Sequence, residues 1–385
     1  MLGLCLLLSS CSGITGLGVR HTRRRYEARR TRGLPLSRVL RGSRLVSAGL
    51  SGSFSSVWAN DISPRKAAVY VANFGSEVFH LGDISKAKGA DLPPTRLSWA
   101  SFPCQDLSLA GNIDGVYSEC SGLVWQWLRI LDEQGENAPR VVCLENVAGL
   151  MSAHGGEDYR QLHAALTSRG YKVGAMLINA REFVPQSRPR VFVIGTKGAV
   201  PHDLVAQTPT WAHPTAVTRV GRPLPDFVWW NVPAPNRPSV SLEDIVEKDV
   251  PYDRHEAIRL IPESHREKFI ASGLAYATGY RRTRNKHQVL ELRCDGIAGC
   301  LRTPAGGSSK QFLVHREGDA LEARLLTVRE VARLMGAPDT FRLPGTCNDG
   351  YLAMGDAVAA PVARYLAQNI LRELVEVAYE VSGRV

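Results

Sequence analysis

Arg140-Val141-Val142-Cys143-Leu144-Glu145-Asn146-Val147 passes from apolar to polar within eight residues. Arg140–Leu144 is an apolar run without polar alternation, the composition of a strand buried on both faces. It stops abruptly at a carboxylate and an amide. Upstream, Leu97-Ser98-Trp99-Ala100 is a second short apolar run, and Ser121–Leu131 has helical spacing. Downstream, Glu157–Ser168 reads as a helix, Tyr171–Ile178 as a strand and Val191–Gly195 as another. Strands alternating with helices predict an α/β protein with a doubly wound, largely parallel sheet. Ligands bind such sheets at the carboxyl ends of the strands, so polar residues that follow apolar runs are candidate site residues.

Cys104, Glu145, Asp61 and Asp83 all follow such runs, and four groups occur in order: Pro103-Cys104-Gln105, Leu144-Glu145-Asn146-Val147, Gln186-Ser187-Arg188-Pro189-Arg190 and Gly355-Asp356-Ala357-Val358. Each is weak alone; a lone cysteine after an apolar run is more often a small buried hydrophobe. Together they closely resemble the DNA (cytosine-5) methyltransferases of bacterial type, from about Val57 to about Leu371. The resemblance implies a Rossmann-like methyltransferase sheet with a smaller inserted target-recognition domain. It also implies methyl transfer from S-adenosylmethionine to carbon 5 of cytosine in DNA at a specific sequence.

The chemistry explains the residue types. Carbon 5 of cytosine is a poor nucleophile until a thiolate adds to carbon 6, so covalent catalysis divides one hard step into easier ones. A free thiol has a pKa of about 8.5, and Cys104 therefore needs positive charge or donors nearby. The resemblance makes Cys104 the nucleophile and Glu145 the partner of ring nitrogen 3, with Arg188 and Arg190 steadying the base oxygen and the thiolate. A Glu that shares a proton needs a raised pKa. The target base must leave the duplex, at a cost of a few kcal/mol. Asp61 and Asp83 are the implied cofactor residues, the first for the ribose and the second for the adenine amine. Asp356 stands near the cofactor where the family usually has Asn. Loop capping is the plain alternative for Asp61 and Asp83.

Composition divides the chain. At 385 residues, a large and a smaller domain are expected, as 57–200 and 201–325, with 326–385 as hinge and return to the large domain. The net charge of +10 suggests nucleic acid, yet residues 1–56 alone carry +9 and the remaining 329 only about +1. Local clusters must make the case for DNA. Residues 1–56 are atypical, rich in Arg, Leu, Ser and Gly. The family's Phe-x-Gly-x-Gly-Gly turn should lie about twenty residues before Asp61, where Arg41-Gly42-Ser43-Arg44 stands instead. A signal-like reading of Leu4–Leu8 and a basic phosphate-binding arm compete with a third expectation. In that third reading the segment is not native, the product of a shifted frame or wrong start. It then lacks the central strand, packs loosely, and leaves the chain a poor binder of cofactor and a weak or inactive methylase.

Further along, Ser63-Pro64 and Gly75 bound a helix over 64–74, and Thr327–Glu330 forms a capping box. Pro361 starts the last helix. Residues 201–240, rich in Pro and Trp, open the expected recognition domain. Its candidate DNA contacts are Arg281, Arg282 and Arg284 in the densest basic cluster, with Arg302 and Gln311 on a glycine-rich loop. Double-stranded DNA is the expected partner, with a cognate restriction endonuclease as a further candidate. The expected protein is a cytoplasmic monomer without membrane association, disulfides or metal. The alternatives are an inactive DNA-binding remnant lacking part of the cofactor site, and a tRNA cytosine-5 methyltransferase.

Overall fold

The computed structural model describes residues 34–39, 43–102, 122–236, 240–303 and 309–380. From Leu34 to Thr196 the elements are β1 (Leu34–Val39), α1 (Ser43–Leu50), β2 (Phe54–Asp61), α2 (Pro64–Phe74), β3 (Phe79–Leu81), β4 (Leu97–Ser101), α3 (Leu123–Glu133), β5 (Val141–Val147), α4 (Glu157–Thr167), β6 (Lys172–Asn179) and β7 (Pro189–Thr196). The strands form one sheet in the order β3-β2-β1-β4-β5-β7-β6. Pairs from β3 to β5 are parallel, while β7 runs antiparallel to both β5 and β6. The winding direction changes between β1 and β4, the switch point at which open α/β sheets bind ligands.

Strand β5 bears out the reading of a run buried on both faces. Val141 and Cys143 join the core on one side of the sheet and Val142 and Leu144 the core on the other, all four fully buried. Helix α2 begins and ends where its caps predict: Ser63 accepts from the Lys66 N–H, and Gly75 closes the helix at φ 80°.

Residues 201–232 differ from expectation. They close the free edge of β6, where Leu177 N–H donates to the Ala212 carbonyl and Val228 N–H to the Val173 carbonyl, both at 2.9 Å. This segment contains α5 (Thr215–Gly221), and its Trp230 is fully buried. The Pro- and Trp-rich texture thus serves to cover a sheet edge, and the small domain begins further on. There α6 (Leu242–Ile245), α7 (His255–Ile258) and α8 (Glu263–Ala271) precede an antiparallel sheet of β8 (Tyr276–Arg284), β9 (His287–Arg293), β10 (Gln311–Glu317) and β11 (Ala320–Leu325), ordered β11-β10-β8-β9. Asn285 and Lys286 both take positive φ, 48° and 67°, which makes the basic cluster a tight β8–β9 hairpin.

The chain returns through α9 (Val328–Leu334), α10 (Cys347–Gly355), α11 (Ala360–Leu366), a π-helical turn (Ala367–Leu371) and α12 (Arg372–Glu380). The expected capping box at Thr327 and Glu330 is formed. Glu330 is also held by Arg324 of β11 in a fully buried ion pair at 2.5 Å, which ties the small sheet to the return helix.

The reading of residues 1–56 as lacking the central strand is corrected over 34–56. Strand β1 lies between β2 and β4 with Leu36 opposite Leu97 and Val39 opposite Ala100. Helix α1 buries Leu45 and Val46 completely and crosses α11 so closely that a Cβ on Gly49 would lie 2.4 Å from the Ala360 carbonyl oxygen. Arginine composition hid a strand whose partners, not its own residues, specify it.

Candidate active site

Glu145 leaves the carboxyl end of β5 inside the protein, 6% exposed, and its carboxylate meets the Arg190 guanidinium of β7 at 3.0 Å. The antiparallel pairing of β5 with β7 brings the two side chains together. Burial raises the Glu145 carboxyl above its ordinary 4.5, while Arg190, Arg188 and a hydrogen bond with Ser101 pull it back. The next residue, Asn146, donates from Nδ2 to the Phe102 carbonyl at 3.0 Å. It thereby fixes the end of β4 immediately before Pro103-Cys104. Cys104 itself lies outside the described residues.

Arg188 lies close enough to act on the charges of Arg190 and Glu145, but its guanidinium is engaged by backbone carbonyls. It is 2% exposed and donates from Nη1 to the Leu301 carbonyl (2.9 Å) and from Nη2 to the Gly355 carbonyl (2.7 Å). Burial, and next Arg190, lower its pKa to about 10. Gln186, fully buried, donates to the Leu334 carbonyl at 2.7 Å and accepts from the Leu301 N–H. Gln186 and Arg188 therefore clamp residue 301 and the return helices to β7. The sequence reading missed Gln186 in this role.

The acids at the other strand ends occupy one corner. Asp61 closes β2, 4% exposed, and accepts from the Ser63 N–H at 2.9 Å. Asn60 Nδ2 donates to the His80 and Gly82 carbonyls, both at 2.9 Å, which joins the ends of β2 and β3. Asp83 caps a short 3-10 turn through the Ser85 N–H, and these hydrogen bonds hold its carboxyl below the ordinary carboxylate value. Ile62 and Leu81 beside them are 55% and 54% exposed, unusual for large aliphatic side chains. The corner thus offers carboxylates for hydroxyl and amine donors and apolar surface for a flat ring. The β1–α1 turn at residues 40–42 lies outside the described residues.

A cleft of about 470 Å³ opens between the sheet edge and the small domain, lined by Val147, Arg190, Arg282, Cys300, Arg302 and Asp356 among others. Arg282 and Arg302 both lie over the Tyr280 ring, at 4.8 and 5.7 Å from its centre. Arg281 is the next residue along β8 and projects from the opposite face of that strand. Arg284 is exposed but paired with Glu291 at 2.5 Å. Gln311 is 1% exposed, and its amide bonds both the N–H and the carbonyl of Gly299 at 2.9 Å. Buried and with its amide satisfied, it is not offered to a duplex. Asp356 pairs with the Lys66 ammonium of α2, a partner the sequence reading did not name. Lys66 shares the buried stripe of α2 with Val69 and Tyr70, and that spacing was the available signal.

A switch-point sheet with a single reversed strand, a buried Glu–Arg pair at its carboxyl edge and a second, antiparallel sheet define a Rossmann-like α/β protein. Residues 42–372 match the model of the C-5 cytosine-specific DNA methylase family, and the chain belongs to that family. The match begins fifteen residues upstream of Val57 and takes in the whole of α1. Among similar proteins are the type II methyltransferase M.Bsp6I of Bacillus sp. (strain RFL6), 26% identical over 334 residues that cover 84% of this chain and 94% of that one. Another is M.HhaI of Haemophilus parahaemolyticus, 26% identical over 317 residues, covering 82% and 86%. The fold is also that of S. pombe Dnmt2 methyltransferase, with TM-score 0.58 and 19% identity, over 90% of this chain and 99% of that one. Among the described residues no helix is long and apolar enough to cross a membrane.

Proposed function

We propose that this chain transfers a methyl group from S-adenosylmethionine to carbon 5 of cytosine in double-stranded DNA, through a covalent adduct on Cys104. The observation that carries this reading is the buried Glu145–Arg190 pair, whose Arg190 lines the cleft, with Asn146 fixing the backbone that leads into Pro103-Cys104. In the proposed sequence the Cys104 sulfur bonds to carbon 6 of an extruded cytosine. Glu145 shares a proton with ring nitrogen 3, which accommodates the negative charge that the addition pushes into the ring. Carbon 5 then takes the methyl group, loses its proton to a base, and the carbon 6–sulfur bond breaks to restore ring and thiol. Arg190 orients Glu145 and reaches the base oxygen. A cofactor of this type supplies an electrophilic methyl group; Asp61 and Asp83 would hold its ribose and adenine, with Ile62 and Leu81 against the ring. Asp356 lines the cleft and pairs with Lys66 on the first turn of α2, the helix that follows Asp61.

Arg282 and Arg302, open to the cleft and supported by Tyr280, are the proposed DNA contacts. The reading as a non-catalytic remnant rested on a missing glycine turn and a missing central strand; β1 occupies the place of the strand, while Arg41-Gly42-Ser43-Arg44 still stands in place of the turn. The test is incubation of the chain with methyl-labelled S-adenosylmethionine and duplex DNA, followed by nucleoside mass spectrometry. Labelled 5-methyl-2′-deoxycytidine is expected. Label on another atom of cytosine, or only in RNA substrates, would contradict the reading.

A further inference from the structure

Asp356 brings a carboxylate into a cleft that already depends on one carboxylate–guanidinium pair. It lies directly after Gly355, whose carbonyl Arg188 clamps, and it lines the same cleft as Arg190. An unengaged Asp356 would compete with Glu145 for the Arg190 guanidinium. The structure supplies a counter-ion from elsewhere: Lys66, on the first turn of α2, is 6% exposed and places its ammonium 2.5 Å from Asp356 Oδ2. A buried ammonium without a partner is strongly disfavoured, so Lys66 keeps Asp356 as its counter-ion.

We propose that Lys66 is a positioning residue for methyl transfer: by engaging Asp356, it leaves Arg190 to Glu145. The proposal rests on the reading of Glu145–Arg190 as the base-facing pair. The groups around Glu145 are Arg190 and Arg188 on the β7 side, Ser101 on β4, Cys143 on β5 and Asp356 after α10. Of these, burial and Asp356 raise the Glu145 carboxyl, while the arginines and Ser101 lower it. Loss of Lys66 should therefore move Glu145 upward twice over, by freeing the Asp356 charge and by drawing Arg190 away.

The experiment compares wild type, Lys66→Met, Asp356→Asn and the double variant by two readouts. The first is the titration of the Glu145 carboxyl in uniformly folded protein by carbon-13 NMR, assigned with Glu145→Gln, which needs no activity. The second is turnover with saturating DNA and S-adenosylmethionine across pH. In Lys66→Met the Glu145 midpoint should rise and turnover fall by about tenfold or more, the size of a lost positioning effect. In the double variant the midpoint should return and turnover exceed that of Lys66→Met by about fivefold, as a coupled pair requires. In Asp356→Asn alone the midpoint should stay or fall. An unchanged Glu145 midpoint in Lys66→Met, a rise in Asp356→Asn, or a double variant as impaired as Lys66→Met would overturn the proposal. Should Lys66→Met not fold, the Asp356→Asn and double-variant titrations decide. A wild type that never methylates cytosine would sink the functional reading instead, and the titration would still judge the role of Lys66.

Discussion

At the scale of single residues, the proposed chemistry turns on one carboxyl group. Glu145 is buried, raised by that burial, and drawn back by Arg190 at 3.0 Å. Burial favours the protonated carboxyl and the guanidinium the ionised one, and a general acid works through such opposed influences. Glu145→Gln keeps the shape and loses the exchangeable proton. Its turnover is expected to fall by about 10²–10⁴ with the fold intact. Methylation within a factor of a few of wild type, with an unchanged far-UV spectrum, would remove Glu145 from the mechanism. The residue types at this site were legible in the sequence, and their geometry was not. Arg188 and Arg190 stand two apart, the spacing of side chains on one strand face. However, β7 begins only at Pro189, and Arg188 belongs to a turn whose N–H is held by the Asn179 side chain. One guanidinium therefore faces Glu145 and the other clamps backbone carbonyls. Gln311 illustrates the same limit: a glutamine after a glycine-rich loop suggests DNA, yet its amide is satisfied by Gly299.

At the scale of elements, those with local signals were legible and those specified by neighbours were not. Helix α2 carried Ser63, Pro64 and Gly75 at its ends, and α9 its capping box. Strand β5 carried an unbroken apolar run. In contrast, Leu34-Pro35-Leu36-Ser37-Arg38-Val39 has a proline, an arginine and no clean period, so only its pairing with β2 and β4 makes it a strand. The covering of β6 by residues 201–232 was equally invisible, because an edge strand is defined by what lies beside it. The placement of α1 against α11 can be tested at Gly49. A Cβ there would meet the Ala360 carbonyl oxygen at 2.4 Å and the Ala363 Cβ at 2.7 Å. Gly49→Val is expected to destabilise the protein by about 1–3 kcal/mol through overpacking, read as a lower midpoint in urea with an unchanged slope. An unaltered midpoint would mean that α1 does not pack on α11.

At the scale of the whole molecule, the distribution of charge matters more than its sum. Most of the net +10 lies before residue 57, while the cleft gathers Arg190, Arg282 and Arg302 from the two domains. Gln186 and Arg188 fasten residue 301 to β7, and Arg324 with Glu330 fastens β11 to α9. These buried links set how the small domain meets the edge of the sheet. They would let a duplex held by the small domain present a base to Glu145. Cys300 lines the same cleft and supplies an internal control for any claim about Cys104. The most direct test of the account is covalent trapping: incubation with duplex DNA carrying 5-fluorocytosine and saturating S-adenosylmethionine, followed by denaturation and mass measurement. A fluorine at carbon 5 cannot leave as a proton does, so the adduct should persist. The account predicts one denaturation-resistant protein–DNA adduct in the wild type and in Cys300→Ser, mapped to Cys104, and none in Cys104→Ser. An adduct that survives in Cys104→Ser, or methylation of ordinary cytosine by that variant at near wild-type rate, would contradict it.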